Sequence, residues 1–312
     1  MDTTSVLIKP GRSILCVPGH MEKMHWKAAA CAADVVMLDL EDSVPTDKKV
    51  IAREIVANAI LTIDWKGKSL AVRINSLDTP FAYKDIIHVT ETAGQAIDFV
   101  VIPKVGHARD IHFLARLLDG IEMEKKINRS IAIEAAIETA AGLEQVTSIA
   151  RADRRLRSLS FGIADYTASI GAKLASISGH GDDDAELYPG HRWHYPISRM
   201  VMAAKANGLL AIDAPFGNFK DPRGLENAAS MAAALGCDGK WVIHPDQIEI
   251  VNKRFSPAPE EIGRAKQILD AMTAAGASSK GAIAVDGQMV DLATARLAKR
   301  VWDQARQLGL TE

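Results

Sequence analysis

The chain has 312 residues, of which 48% are hydrophobic, so it can bury a large core as one α/β domain or as two smaller domains. Its 37 lysines and arginines against 39 aspartates and glutamates leave a formal charge of −2, which excludes the broad basic surface of a protein that binds nucleic acid or an anionic membrane. No cationic and apolar leader is visible, and no apolar run approaches the roughly 20 residues of a membrane span, so a cytoplasmic protein is expected.

Eight short apolar runs recur along the chain, separated by amphipathic stretches. They are residues 13–19, 35–41, 69–75, 99–105, 130–138, 158–165, 209–215 and 240–245. Each run is continuously apolar, which is typical of parallel strands that are buried on both faces. Eight βα units predict an α/β fold, a (β/α)₈ TIM barrel with a C-terminal helical and lid extension. An open doubly wound sheet is the alternative, but no Gly-x-Gly-x-x-Gly pattern follows the first run.

Two of the stretches between and after the runs show clear helical patterns. After the second run, Thr46 is predicted to cap a helix with one apolar face, formed by Val50, Ile51, Ile55, Ala59 and Ile60. After the eighth run, Ser256 and Pro257 predict a helix start, and the buried stripe consists of Ile262, Ala265, Leu269 and Met272. We therefore expect a barrel over residues 1–255 and a helical and lid segment over 256–312. Residues 178–196, rich in Gly, Asp and His, are predicted to form a loop over the barrel mouth.

Ionisable or amide side chains stand at the carboxyl ends of seven of the eight runs. They are Asp39, Glu41 and Asp42, then Arg73 and Asn75, then Lys104, Glu138, Asp165, Asp213 and His244. In (β/α)₈ barrels the catalytic groups project from these strand ends. Because burying charges without partners costs several kcal/mol each, such a concentration predicts a common polar site.

Glu138 and Asp165 end adjacent runs, so their carboxylates are expected to share a hard cation, Mg²⁺ or Mn²⁺. The alternative is that each carboxylate caps the helix after its strand. Arg73 offers a planar cationic group for a substrate carboxylate or a developing enolate oxygen. Its alternative role is a salt bridge with Glu41 or Asp42, and both roles hold if those acids orient the guanidinium.

At these residues the chain resembles the citrate lyase β-subunit-like acyl-CoA lyases, and within them the malyl-CoA and β-methylmalyl-CoA lyases. The resemblance extends from Arg12 to about Val301. It is carried by the segments VVMLDLEDSVPTDKK, AVRINSLDTPFAYKD, VIPKVG, IETAAGL, SFGIADYTASIG, AIDAPFGNFKDPRG, LGCDGKWVIHPDQI and DGQMVD. It implies the same barrel and the use of Mg²⁺.

The resemblance also implies roles for individual residues. Glu138 and Asp165 match metal ligands, and Arg73 matches the catalytic arginine that binds substrate. The acyl-CoA pocket corresponds to Ala164, Asp165, Ile243 and His244, and Lys27 falls where a basic residue meets the CoA phosphates. Asp291 matches a catalytic acid/base on a lid that reaches a neighbouring subunit, so a homo-oligomer, a trimer or hexamer, is implied. The preceding small and polar residues, 274–281, are flexible enough to serve as the hinge of this lid. From the sequence itself, Asp291 could equally be the N-cap of a helix that follows a turn at Asp286 and Gly287.

The implied activity is an oxo-acid lyase. It would cleave or form the carbon–carbon bond of a β-hydroxyacyl-CoA such as malyl-CoA, β-methylmalyl-CoA or citramalyl-CoA. The cleavage products would be acetyl-CoA or propionyl-CoA and glyoxylate or pyruvate. The expected partners are an acyl-CoA thioester and a small 2-oxo acid. Glu41, Asp42 or a hydroxide on the metal are candidates for the base that takes the substrate hydroxyl proton. Two alternatives are a thioesterase that hydrolyses malyl-CoA on the same site and a subunit without catalytic activity.

Overall fold

The computed structural model describes residues 11–173, 192–276, 283–285 and 288–311 of the chain. Eight parallel strands form a closed barrel in sequence order, with the eighth strand paired to the first. The strands are β1 (Ser13–Pro18), β2 (Val35–Asp39), β3 (Ser69–Arg73), β4 (Phe99–Ile102), β5 (Ala132–Ile137), β6 (Leu156–Phe161), β7 (Leu210–Asp213) and β8 (Gly239–Val242). The eight predicted strands and the (β/α)₈ barrel are confirmed.

Helices alternate with these strands. They are α1 (Glu22–Ala30), α2 (Lys49–Thr62), α3 (Ala82–Ala93), α4 (Ala108–Lys125), α5 (Ala140–Glu144), α6 (Val146–Ile149), α7 (Ile163–Ser169), α8 (His194–Ala206), α9 (Pro222–Leu235) and α10 (Ile248–Arg254). Short 3₁₀ turns cover Thr46–Lys48, Gly94–Ala96 and Pro245–Gln247. In the described part of the chain, none of the helices combines the length and the hydrophobicity that a bilayer span needs.

Only the end of the predicted loop over 178–196 falls within the described residues. Residues 178–191 lie outside them, and α8 already begins at His194. The loop assignment was therefore wrong for residues 194–196. Pro196 is compatible with the first turn of a helix, because a backbone N–H there has no partner within the helix.

The barrel interior is filled by large apolar side chains from alternate strand positions. Ile14, Met37, Phe99, Ile212 and Trp241 belong to one buried cluster. Successive residues of a strand point to opposite faces, so the residues between them face the surrounding helices. The interior is thus a packed core, and polar groups that face inward can reach substrate only at its ends.

The prediction for α2 was partly wrong. The helix begins at Lys49 after a 3₁₀ turn, and Thr46 does not cap it. Val50 and Ile51 are 61% and 49% exposed. The buried face instead includes Lys49 and Arg53, which have hydrogen-bonding partners near the carboxyl ends of β2 and β3. Hydrophobic periodicity misplaced the face because two of the inward residues are charged.

Strand register sets which polar groups are neighbours at the mouth of the barrel. Asp39 at the end of β2 pairs with Arg73 at the end of β3. Ile137 pairs with Phe161, so the next residues, Glu138 and Gly162, also stand side by side.

The residues from Lys253 onward form a second compact unit, and residues 11–252 form the first. The second unit contains α11 (Pro259–Gly276), the antiparallel strands β9 (Ile283–Val285) and β10 (Gln288–Val290), and α12 (Leu292–Gln307). Its core is formed by Ala265, Ile268, Val290 and Ala298. The predicted turn at Asp286 and Gly287 and most of the predicted hinge, residues 277–281, lie outside the described residues.

Candidate active site

Arg73 and Asp39 form a bidentate ion pair at the mouth of the barrel. The Arg73 Nε donates to Asp39 Oδ1 at 2.6 Å, and Nη2 donates to Oδ2 at 2.7 Å. Both residues are buried. Burial alone would raise the pKa of Asp39, but the charge and hydrogen bonds of Arg73 lower it to about 2. Asp39 therefore stays ionised and fixes the plane of the guanidinium.

Glu41 connects this pair to a second cation, Lys104. Glu41 Oε2 lies 3.0 Å from Arg73 Nη1, and Lys104 Nζ donates to Glu41 Oε1 at 2.6 Å. The predicted contact of Arg73 with Glu41 is present, whereas Asp42 lies 3.5 Å from Lys104 Nζ instead. Asp39, which the sequence analysis named only as a strand end, is the main partner of Arg73.

Lys104, which the sequence analysis named only as a strand end, is a residue of the site. Its backbone is left-handed, with φ of 53°. In this conformation its main-chain N–H donates to Glu138 Oε1 at 2.7 Å. Its ammonium also lies 3.4 Å from Asp165 Oδ2. The sequence could have indicated Lys104, because a lysine follows Pro103 at a strand end where an apolar residue is usual.

Glu138 and Asp165, the two predicted metal ligands, lie near each other. Glu138 accepts from the main-chain N–H of Lys104, and Asp165 lies 3.4 Å from the Lys104 ammonium. Glu138 is 2% exposed, and burial together with the charge of Glu41 raises its pKa to about 7. Asp165 is half-buried in the first turn of α7. The charge of Asp165 also raises the pKa of Glu138, as expected for two carboxylates that share one site.

The capping alternative does not describe these two carboxylates. The N-cap of α5 is Thr139, whose hydroxyl accepts from Gly142 N at 3.0 Å. The N-cap of α7 is Gly162, and no side chain caps that helix. Neither Glu138 nor Asp165 therefore caps a helix.

The donor set fits a hard divalent cation. Both carboxylate oxygens of Asp39 and both of Glu41 have cationic or hydrogen-bonding partners. Glu138 has a hydrogen bond only at Oε1 and Asp165 only an ion pair at Oδ2 among the contacts of the described residues. Two carboxylates with oxygens still available suit Mg²⁺, which keeps several water or substrate ligands. No group of three or more acidic, His or Cys side chains arranged for a metal occurs within the described ranges, so other ligands would come from water and substrate.

Two buried cations on α2 support the loops that carry this site. Lys49 Nζ donates to the carbonyls of Leu40 at 2.9 Å and Glu41 at 2.6 Å. Arg53 donates to Asp85 at 2.8 and 3.0 Å, and Asp85 accepts from the side chain of Asn75. Asn75 therefore faces this support and does not enter the barrel mouth.

Asp213 also does not join the common polar site that was predicted for the strand ends. Ile212 and Trp241 belong to the interior cluster, so the alternate residues Asp213 and Lys240 face outward. They form a buried ion pair between neighbouring strands. The prediction was wrong because a strand end supplies two faces and the sequence does not say which one a carboxylate uses.

The residues expected to bind the acyl-CoA lie on loops and in the first or last turn of a helix. Ala164 is exposed in the first turn of α7, next to Asp165, and Lys27 is exposed in the last turn of α1. Ile243 is 43% exposed after the end of β8. His244 is half-buried and stacks on Phe219, with ring centroids 4.7 Å apart. Their contact with an acyl-CoA stays a prediction.

Asp291 is the N-cap of α12 in the second unit. Its Oδ1 accepts from Thr294 N at 2.9 Å and from Thr294 Oγ1 at 3.1 Å. These hydrogen bonds lower the pKa of Asp291. The capping role inferred from the sequence is therefore present, and the catalytic role stays a prediction.

Comparisons with known proteins identify relatives of this chain. A malyl-CoA/beta-methylmalyl-CoA/citramalyl-CoA lyase of Chloroflexus aurantiacus is 35% identical over 316 residues, covering 97% of this chain and 90% of its own. An L-malyl-CoA/beta-methylmalyl-CoA lyase of Cereibacter sphaeroides is 41% identical over 306 residues, covering 96% of each chain. The crystal structure of CitE from Mycobacterium tuberculosis in complex with magnesium, acetoacetate and coenzyme A is 31% identical, with a TM-score of 0.73, and the match covers 95% of this chain and 98% of that one.

The family described as HpcH/HpaI aldolase/citrate lyase matches residues 12–245. This range contains the whole barrel and the residues of the candidate site that precede the second unit. The chain therefore belongs to the HpcH/HpaI aldolase/citrate lyase family, as the motifs at its strand ends predict.

Proposed function

We propose that the chain is a magnesium-dependent lyase that cleaves or forms the carbon–carbon bond of a β-hydroxyacyl-CoA. The observation that carries this proposal is the pair Glu138 and Asp165, whose carboxylates retain available oxygens beside the buried guanidinium of Arg73. The names of the relatives support malyl-CoA, β-methylmalyl-CoA or citramalyl-CoA as the substrate class. The magnesium in the crystal structure of CitE supports Mg²⁺, and Mn²⁺ would suit the same oxygens.

Arg73 is suited to stabilise the charge that develops in such a cleavage. The substrate hydroxyl loses its proton to a base, for which Glu41 and Asp42 are the candidate side chains, and becomes a carbonyl. The electron pair of the broken bond moves onto the thioester as an enolate. Asp39 accepts hydrogen bonds from Arg73 Nε and Nη2, and Glu41 Oε2 forms an ion pair with Nη1 at 3.0 Å. Since each Nη carries two N–H groups, the guanidinium keeps donors for an anionic oxygen of the substrate or enolate.

Glu138 and Asp165 would hold the cation, and Ala164, Ile243, His244 and Lys27 would bind the acyl-CoA. When bound, Mg²⁺ supplies Lewis-acid polarisation of the hydroxyl and carboxylate oxygens of the substrate. We assign to Asp291 the return of a proton to the enolate carbon, which completes the cleavage. We also propose a homo-oligomer, a trimer or hexamer, in which the Asp291 segment of one subunit covers the barrel of another. We place the reaction in the cytoplasm.

The decisive assay incubates the protein with Mg²⁺ and, separately, with malyl-CoA, β-methylmalyl-CoA and citramalyl-CoA. We expect glyoxylate or pyruvate together with intact acetyl-CoA or propionyl-CoA. Release of free CoA thiol with the unbroken hydroxy acid would instead identify a thioesterase, and no turnover of any of the three would indicate a subunit without catalytic activity.

The role of the metal is tested with Asp165→Ala, which should lose both Mg²⁺ binding and turnover while keeping the wild-type circular dichroism spectrum. Asp47→Ala is the matched control, because Asp47 is an exposed carboxylate with only a 3.9 Å contact to Lys48. Wild-type turnover by Asp165→Ala would show that the metal assignment is wrong.

A further inference from the structure

Lys104 combines an unfavourable backbone conformation with contacts to several carboxylates of the candidate site. Three residues other than glycine have positive φ in the described part of the chain: Lys66, Lys104 and Lys126. Lys66 and Lys126 are exposed, whereas Lys104 lies at the barrel mouth with its side chain 27% exposed. Left-handed backbone is disfavoured for residues with a Cβ and persists where surrounding contacts hold it.

Lys104 binds Glu138 and Glu41 through different groups. Its main-chain N–H holds Glu138 Oε1 at 2.7 Å, which leaves Glu138 Oε2 available. Its ammonium binds Glu41 Oε1 at 2.6 Å, and Arg73 Nη1 is 3.0 Å from the other oxygen of Glu41. Glu138 is therefore positioned with a vacant ligand atom, while both oxygens of Glu41 are engaged by cations.

Glu41 is close enough to the proposed cation position to compete for it. The Lys104 ammonium that binds Glu41 is also 3.4 Å from Asp165 Oδ2. A released Glu41 carboxylate would thus face the same cation as Glu138 and Asp165.

We propose that Lys104 is a positioning residue that keeps Glu41 out of the coordination shell of the cation, so that only Glu138 and Asp165 bind it. This inference rests on the proposed function, because it presumes a cation between those two carboxylates. A third carboxylate would fill a position that the oxo acid needs. It would also favour Ca²⁺, which takes more oxygen ligands than Mg²⁺ and tolerates irregular geometry.

The test is calorimetric titration of Mg²⁺ and of Ca²⁺ into the full-length wild-type protein and Lys104→Met. We expect Lys104→Met to bind Ca²⁺ roughly tenfold more tightly than wild type, with a smaller gain for Mg²⁺. Pyruvate binding in the presence of saturating Mg²⁺ should weaken, because Glu41 then occupies its position. Lys104→Arg keeps a cation beside Glu41 and should resemble wild type. Lys66→Met is the matched control, since it removes an exposed lysine of the same backbone conformation.

Adding Glu41→Gln distinguishes coordination by a released Glu41 from the loss of the Lys104 positive charge alone. In the Lys104→Met/Glu41→Gln double variant the gain for Ca²⁺ should disappear, because the released carboxylate is gone. An equal gain for both ions in Lys104→Met, or no gain, would overturn the inference while leaving the proposed function standing. Absence of Mg²⁺ binding by the wild-type protein would overturn the proposed function itself. If Lys104→Met does not fold, Lys104→Gly removes the ammonium and suits the left-handed backbone, and the same outcomes apply.

Discussion

Glu138 occupies the space that a Cβ atom at position 162 would need. A Cβ on Gly162 would lie 2.2 Å from Glu138 Oε2 and 2.5 Å from Glu138 Cβ. The φ of Gly162 is −108°, which any residue adopts. Glycine is needed here because two strand ends approach closely. Without a side chain at position 162, the Glu138 carboxylate has room beside the proposed cation position.

Gly162→Ala is therefore expected to displace Glu138 without unfolding the barrel. The Mg²⁺ affinity should fall by roughly tenfold or more, in line with changes that misorient metal ligands, and turnover should fall with it. Isothermal titration with MgCl₂ measures the affinity, and circular dichroism reports the fold.

Gly120→Ala is the matched control for this substitution. Gly120 is exposed in α4, and a Cβ there meets no atom within 4 Å. Its Mg²⁺ affinity should equal that of wild type. An unchanged affinity in Gly162→Ala would mean that Glu138 is not a ligand or that its carboxylate moves freely.

Two substitutions of Arg73 should distinguish the effect of its positive charge from the effect of its planar hydrogen-bonding geometry. Arg73→Lys keeps a cation beside Asp39 but loses the two parallel hydrogen bonds at 2.6 and 2.7 Å. We expect turnover to fall by roughly 10²–10³-fold, as when one donor to a developing oxyanion is lost. Arg73→Met removes the charge and leaves Asp39 buried without its cation, which should cost about 3–5 kcal/mol of unfolding free energy.

Steady-state kinetics and urea unfolding of both variants provide the measurements. Arg73→Lys with wild-type turnover would show that a point charge suffices and that the planar pairing has no catalytic part. If Arg73→Met were as stable as wild type, Asp39 would have to be neutral or hydrated in that variant.

The sequence predicts those features that depend on strand periodicity. Continuous apolar runs identify all eight strands, and because β5 and β6 are neighbours in a parallel barrel, Glu138 and Asp165 are expected near each other. Periodicity fails where charged residues face inward, as Lys49 does by hydrogen bonding to two backbone carbonyls. It also misplaces Asp213, which pairs with Lys240 on the outer face of the barrel. The left-handed backbone of Lys104 depends on tertiary contacts with Glu138 and Glu41, which no local pattern contains.

Glu134 should make the stability of the protein depend on pH. It is 1% exposed inside the barrel, where Ser158 Oγ donates to it at 2.6 Å and Trp241 Nε1 at 3.1 Å. Burial raises the pKa of Glu134 above its ordinary 4.5. The folded state then holds this proton more tightly than the unfolded state. The resulting stabilisation is fully present below the unfolded pKa and is lost as the pH rises through the folded pKa.

We therefore expect wild type to lose unfolding free energy relative to Glu134→Gln as the pH rises above about 4.5. The slope should be at most about 1.4 kcal/mol per pH unit, since one proton is involved. Urea unfolding of both proteins at a series of pH values measures the difference. Glu249→Gln, which changes an exposed carboxylate, should show no such divergence. A constant difference between wild type and Glu134→Gln would mean that the pKa of Glu134 is the same in both states.

Different substitutions of Asp291 separate its capping role from its proposed catalytic role. Asn caps helices about as well as Asp, so Asp291→Asn should retain the acceptor for Thr294 N and the melting temperature of wild type. It cannot donate or accept the proton of the reaction, and turnover should fall by roughly 10²–10⁴-fold while oxo acid binding persists. Asp291→Ala should lower both turnover and melting temperature. Wild-type turnover in Asp291→Asn would leave Asp291 as a helix cap alone.

Co-expression of Asp291→Asn with Asp165→Ala tests whether Asp291 acts on a neighbouring barrel. Each variant alone should be inactive, one for lack of the acid and the other for lack of a metal ligand. In a mixed oligomer, the intact Asp291 of an Asp165→Ala subunit can meet the intact barrel of an Asp291→Asn subunit. Recovery of turnover in mixed oligomers, purified with two different tags, would require action between subunits. If the mixed oligomers stay as inactive as the separate variants, Asp291 serves the barrel of its own chain, because no mixed assembly then combines both intact groups.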